Sequence, residues 1–149
     1  MNDVLIIEDD EFKANSIRDL LTASGKYDKI YLVSSLVEAV DAVNKNEYSL
    51  IMIDMAIPSH PVVAGGGSPI SLLTGGLEVL LEISSIENES PCIVITQFPD
   101  IEISGEFYTL DQATEEIRSQ LGCHVLACIK YVEGCENWKK ELTEVLKIK

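Results

Sequence analysis

The chain has 149 residues, 46% of them hydrophobic and 24% charged, with 25 acids against 11 Lys and Arg. That length fits one globular domain over residues 1–149, and the composition excludes a disordered chain. The net charge of -14 repels nucleic acid, no apolar run approaches the ~20 residues that cross a bilayer, and Met1-Asn2-Asp3 is no basic signal segment. The expectation is a soluble, cytoplasmic domain that binds neither nucleic acid nor membrane.

The apolar pattern alternates between two periods. Asp-Val-Leu-Ile-Ile at 3–7 reads as a strand ending in Glu8-Asp9-Asp10. Helical spacing through Phe12, Ile17, Leu20 and Leu21 predicts a helix over 11–24, stopped by Gly25. A second strand falls at 29–33. Ser34 or Ser35 then caps a helix whose inner side carries Leu36, Val37, Ala39, Val40 and Val43. Residues 49–53 read as a strand covered on both faces, running apolar up to Asp54.

Residues 58–75 read as irregular, with three prolines and Gly65-Gly66-Gly67, and helical spacing resumes over 76–85 through Leu77, Leu80, Leu81 and Ile83. A strand at 92–95 ends at Thr96. A second long loop is expected from Gln97 to Thr109, then a helix over 110–121. The last strand, near 124–129, ends at Lys130. A final helix, starting near Gly134 or Cys135, carries Trp138, Leu142, Val145 and Leu146.

Five strands alternating with five helices predict an α/β fold: a flavodoxin-like, doubly wound sandwich with a five-stranded parallel sheet and helices on both faces. Two long loops, 59–75 and 97–109, rise at the carboxyl end of its strands. Ligands sit at that end in such sheets, so the strand-end residues Glu8, Asp9, Asp10, Asp54, Thr96 and Lys130 are the informative ones. Clustered carboxylates repel one another and call for a cation, and Mg2+ is a hard, oxygen-seeking solution. An ionised carboxylate beside a metal, a lysine and a hydroxyl can accept a phosphoryl group.

Other candidates are weaker. Cys123, His124, Cys128 and Cys135 would make a zinc site only on paper, because Cys123 and Cys128 stand five apart on an expected strand and should face opposite ways. Buried free thiols are the preferred reading. His60 reads as exposed decoration, and Tyr131 and Trp138 as packing residues. Gly65-Gly66-Gly67-Ser68 lacks the Gly-Lys-Ser/Thr of a P-loop. The two long loops read equally as a lid or docking surface and as insertions without a role. Residues 46–117 hold no Lys or Arg against 12 acids, which reads first as a solvated face and second as a docking surface for a basic partner.

Val4-Leu5-Ile6-Ile7-Glu8-Asp9-Asp10, Ile53-Asp54-Met55-Ala56-Ile57-Pro58, Ile95-Thr96, Ile129-Lys130 and the helix start Gly76-Leu77-Glu78-Val79-Leu80 together resemble the receiver domain of two-component response regulators. The resemblance spans nearly the whole chain. It implies that Asp54 is the phosphoacceptor, with Mg2+ held by Glu8, Asp9, Asp54 and the Ala56 backbone carbonyl. It further implies that Thr96 hydrogen-bonds the phosphoryl group and Lys130 ion-pairs with it. The phosphoryl donor would be a histidine kinase or phosphotransfer protein. A stand-alone receiver would then signal through contacts with a downstream protein, as a phosphoacceptor rather than an enzyme acting on other substrates.

Three positions depart from the family pattern. Tyr131 stands where a cis-proline is usual, so that turn is expected to be rearranged or trans. Ala127 replaces the inward-swinging aromatic residue, and Gln97 replaces a small one. These departures support an alternative, a degenerate pseudo-receiver acting as a phosphorylation-independent interaction module. A third reading, a Mg2+-dependent phosphatase or nuclease, lacks the second acid it needs, since Ala56 stands there.

Overall fold

Apolar β-branched runs with side chains on alternate faces make strands that can be buried on both sides. A computed structural model describes residues 2–59, 71–72 and 75–147. In chain order its elements are β1 (Asp3–Ile7), α1 (Glu11–Ser24), β2 (Lys29–Val33), α2 (Leu36–Lys45), β3 (Leu50–Ile53), β4 (Ile57–Pro58) and β5 (Ser71–Leu72). There follow α3 (Gly75–Ser85), β6 (Cys92–Thr96), β7 (Asp100–Ile103), β8 (Glu106–Thr109), α4 (Leu110–Leu121), β9 (Val125–Lys130) and α5 (Asn137–Leu146).

Five strands form one parallel sheet in the order β2-β1-β3-β6-β9. Period-two alternation sorts its side chains onto two cores. Leu5 and Ile7 of β1 face Ala39 and Val43 of α2, Val79, Leu80 and Ile83 of α3, and Ala113 and Ile117 of α4. Val4 and Ile6 face Ile17 and Leu21 of α1 and Trp138, Leu142 and Leu146 of α5. Fully burying one such side chain contributes roughly 1.5–3 kcal/mol, so two filled faces fix the layer order. Among the described residues no helix is long and apolar enough to cross a membrane.

Local residues start and stop the helices. Asp10 caps α1 by accepting from the Lys13 N–H at 3.0 Å, and Gly25 ends it at φ +69°. Ser35, not Ser34, caps α2, and Thr109 with Gln112 closes a capping box on α4.

Several expectations need correction. Val37, read as inward, is 60% exposed, and Phe12 and Leu81, counted in the helical spacing, are exposed at 61% and 51%. In α1 the buried stripe is instead Lys13, Ala14, Ile17 and Leu21, which turns Phe12 outward. Residues 97–109 are not an irregular loop: β7 and β8 pair as an antiparallel hairpin, with Ser104 and Gly105 in the turn at φ +54° and +84°. Two consecutive positive φ values match the right-handed twist of hairpin strands, and Ile101 and Ile103 anchor the hairpin in the core.

Cys123 and Cys128 do not face opposite ways. Cys123 precedes β9, and the register of β9 on β6 slips at Leu126, where Cys92 pairs with Val125 but Ile93 with Ala127. The extra residue returns both thiols to the same core, where burial pushes each up to about 11. Of the expected 59–75 insertion, only Ser59, the β5 residues paired antiparallel to β4, and Gly75 at the start of α3 are described. His60 and Gly65-Gly66-Gly67 lie outside the described residues.

Candidate functional site

The carboxyl ends of β1 and β3 set the first two acids side by side. Glu8 donates its N–H to the Val33 carbonyl at 3.0 Å, and Asp54 donates its own to the Ile7 carbonyl at 3.0 Å. The sheet thus extends one residue past each strand and fixes where both side chains leave it. Asp9 follows on the exposed side. One carboxylate oxygen from each of Glu8, Asp9 and Asp54 lies within 4.8 Å of the others. Glu8, Asp9, Asp10, Asp54, Ala56, Gln97 and Phe98 line the cleft above them.

Lys13, which the sequence reading passed over, is the cation at this site. Its side chain is only 2% exposed. The ammonium lies 2.6 Å from Glu8 Oε1 and 3.3 Å from Asp54 Oδ1, and it donates to the Ile95 carbonyl at 2.8 Å. The Tyr131 ring stands 5.4 Å from it, in cation–π range. The signal for it was present: Lys13 stands four residues before Ile17 and eight before Leu21, on the apolar stripe of α1. A lysine on such a stripe needs a buried acid to meet, and the adjoining strand ends supply two.

Thr96 is fully buried at the end of β6, where its hydroxyl oxygen accepts from the Phe98 N–H at 3.2 Å. Lys130 pairs in register with Thr96, but its side chain is exposed and makes no ion pair or hydrogen bond among the described residues. The structure therefore brings Glu8, Asp9, Asp54 and Ala56 to one cleft, sets Thr96 at the neighbouring strand end, and leaves the Lys130 side chain in solvent. The Lys130–Tyr131 peptide is trans. Tyr131 and Trp138 pack as expected, buried with ring centroids 5.2 Å apart.

Charge governs the chemistry available here. Burial pushes the Glu8 carboxyl up to about 8; Lys13 pulls it down, and the Asp54 charge adds to the rise. Burial likewise raises Asp54 against the opposing pull of Lys13. With Glu8, Asp9 and Asp54 all ionised, one ammonium leaves two negative charges in excess, which a divalent cation would balance. The buried Glu8 Oε1, close to Lys13, lacks a well-aligned hydrogen bond. An all-oxygen donor set whose negative charge exceeds what the Lys13 ammonium can balance fits Mg2+.

Comparison with known proteins agrees with this geometry. Residues 4–114 match the response regulator receiver domain. The Detocs response regulatory protein DtcB of Vibrio alginolyticus is 32% identical over 147 residues, covering 97% of this chain and 99% of that protein. Among solved structures, the phosphorylated cyanobacterial phytochrome response regulator RcpA matches with a TM-score of 0.67 at 15% identity, over 98% of this chain and 91% of that one. The receiver domain of a Pseudomonas aeruginosa sensor histidine kinase, solved with magnesium in its active-site cleft, matches at 0.60 and 18% identity over 98% of each chain. Response regulator TrrA of Thermotoga maritima, in complex with Mg2+ and BeF, matches at 0.60 and 17% over 97% of this chain and 99% of that one. At these identities the structures speak for the fold: a five-stranded parallel sheet with five helices.

Proposed function

The chain belongs to the response regulator receiver family, and from that premise we propose that it is a receiver phosphorylated on Asp54. One observation carries the reading: the Asp54 side chain, 11% exposed, lines a cleft it shares with Glu8 and Asp9 at ligand spacing. An Asp54 oxygen forms a bond to phosphorus as the P–N bond of a donor phosphohistidine breaks. The departing imidazole nitrogen keeps the electron pair and takes up a proton. The donor is a histidine kinase or a phosphotransfer protein.

Glu8, Asp9, Asp54 and the Ala56 backbone carbonyl would hold Mg2+, which when bound neutralises charge on the phosphoryl oxygens. The Thr96 oxygen is engaged as an acceptor, so its O–H is left to donate to a phosphoryl oxygen. Lys130, at the next strand end and free in solvent, pairs with the phosphoryl group once it has arrived. Output passes to a downstream protein by contact, and the acidic surface of residues 46–117 favours a partner with a basic docking face. The protein accepts a phosphoryl group and assists its own hydrolysis; it turns over no separate substrate.

Intact-mass spectrometry after incubation with acetyl phosphate and Mg2+ tests this reading. A gain of one phosphoryl group is expected in the wild type and is lost in Asp54→Asn or with chelator. A second reading, a constitutive interaction module, draws on the Lys13 ammonium already seated on Asp54 while Lys130 stands outside. It predicts no adduct from acetyl phosphate or any histidine-kinase donor and no Mg2+ binding.

A further inference from the structure

The ammonium of Lys13 is buried against the proposed phosphoacceptor and does not line the cleft, held by three oxygens from three strand ends: Glu8 Oε1, Asp54 Oδ1 and the Ile95 carbonyl. The cap that Asp10 places on α1 fixes the backbone from which it reaches inward. Such burial of a lysine is costly unless charge and hydrogen bonds meet it, and here both do. It occupies a helix position that packing alone would give to an apolar residue.

We propose that Lys13 is a positioning residue of the phosphoacceptor site, a resident cation that holds Asp54 by one oxygen and sets the affinity of the site for its metal. The proposal rests on the reading of Asp54 as phosphoacceptor and deepens it. With Oδ1 engaged by the ammonium, the carboxylate cannot rotate freely, and the other oxygen is the one presented to an incoming group. The charge also matters. One ammonium and one divalent cation balance Glu8, Asp9 and Asp54, so the loaded site is neutral when an anionic phosphoryl donor approaches. Lys130 has a different part: exposed and unpaired, it meets the phosphoryl group from the solvent side after transfer.

Removing the Lys13 charge therefore has two effects of opposite sign. The carboxylates lose a competing cation, so Mg2+ binds more tightly. The loaded site becomes anionic and Asp54 loses its hold, so phosphoryl transfer slows. A role in packing or folding alone would weaken both together.

The test compares wild type, Lys13→Met and Lys130→Met. Mg2+ affinity is read by isothermal titration calorimetry, and adduct formation from acetyl phosphate at saturating Mg2+ by intact mass. Lys13→Met is expected to bind Mg2+ about 3- to 10-fold more tightly and to form adduct at least 10-fold more slowly, on the order of what one buried, paired charge contributes. Lys130→Met should change Mg2+ affinity less than Lys13→Met does. Unchanged or weaker Mg2+ binding in Lys13→Met, or adduct formation at the wild-type rate, overturns the proposal. If the wild type itself takes no phosphoryl group, the reading of Asp54 fails, and the calorimetric arm still decides whether Lys13 sets metal affinity. Should Lys13→Met not fold, Lys13→Gln, which keeps a donor for the Ile95 carbonyl, is held to the same two outcomes.

Discussion

Gly76 packs so closely behind Asp54 that a Cβ added to it would come within 2.5 Å of the Asp54 carbonyl oxygen and 2.8 Å of the Met55 Cα. Both are backbone atoms and cannot swing aside. The Gly76 N–H also donates to the Met55 carbonyl at 2.9 Å, so the start of α3 is fastened to the turn that carries the acid. Gly76→Ala must push that turn away from the helix. Overpacking of this kind costs about 1–3 kcal/mol, read as a lower urea midpoint. Adduct formation on Asp54 should slow as well, because the shift moves the nucleophile itself. A variant with wild-type stability and rate would show that the turn yields freely.

Stability of the metal-free protein should fall as pH rises. The Glu8 carboxyl is pushed up to about 8 from an ordinary 4.5, by burial first, with the Asp54 charge adding and Lys13 opposing. Between those values the folded protein holds a proton that the unfolded chain has released. Proton binding therefore favours the fold below about pH 4.5, and that contribution is lost as pH climbs through about 8. Urea unfolding in chelator at several pH values across this window should show the decline, and Glu8→Gln should flatten it. Added Mg2+ should stabilise most near pH 8, where the carboxylates are charged, and least near pH 5. A flat profile in chelator would contradict the buried-acid reading.

The hairpin turn is open to a direct test. Gly105 sits at φ +84° with nothing within 4 Å of an added Cβ, so any cost of substitution comes from the backbone and not from crowding. Gly105→Ala should destabilise by about 1 kcal/mol. Gly105→Asn should cost less, because Asn tolerates the left-handed region. Thermal unfolding of the two variants gives the comparison, and equal losses would mean that the turn does not hold its positive φ.

The order of the sheet elements was legible because both signals are local: β-branched runs for strands, and cap or stop residues for helices. Gly25, Ser35 and the start of α4 at Leu110 lie where those signals put them. The cluster of Glu8, Asp9 and Asp54 was legible too, since a parallel sheet gathers its strand ends. What escaped depended on tertiary context. The hairpin was hidden because Asp100-Ile101-Glu102-Ile103 is short and acidic, although its alternation and the Ser104-Gly105 pair mark it. Phe12 looked like a core residue and Lys13 like a surface one. Helix α1 is rotated so that Lys13 faces the acids, and only the folded arrangement shows that two carboxylates wait for it. The bulge at Leu126 is likewise invisible to a count along the chain, and it reverses which way Cys123 and Cys128 face relative to each other.

The cap on α1 should matter to the site as well as to the helix. Asp10 Oδ1 accepts from the Lys13 backbone N–H at 3.0 Å, while the Asp10 N–H donates to Glu8 Oε2 at 3.1 Å. One residue thus ties the helix that carries the ammonium to the acid the ammonium meets. Asp10→Ala keeps the backbone bond to Glu8 but removes the cap, which should cost about 1 kcal/mol. Asp10→Asn should restore most of that loss, since an amide oxygen caps as a carboxylate does. If the cap also aims Lys13, Asp10→Ala should loosen the ammonium from Asp54 and shift Mg2+ affinity toward that of Lys13→Met, and Asp10→Asn should not. Urea midpoints and calorimetric Mg2+ titrations of the two variants separate these effects. Loss of stability with unaltered metal affinity would confine Asp10 to the helix.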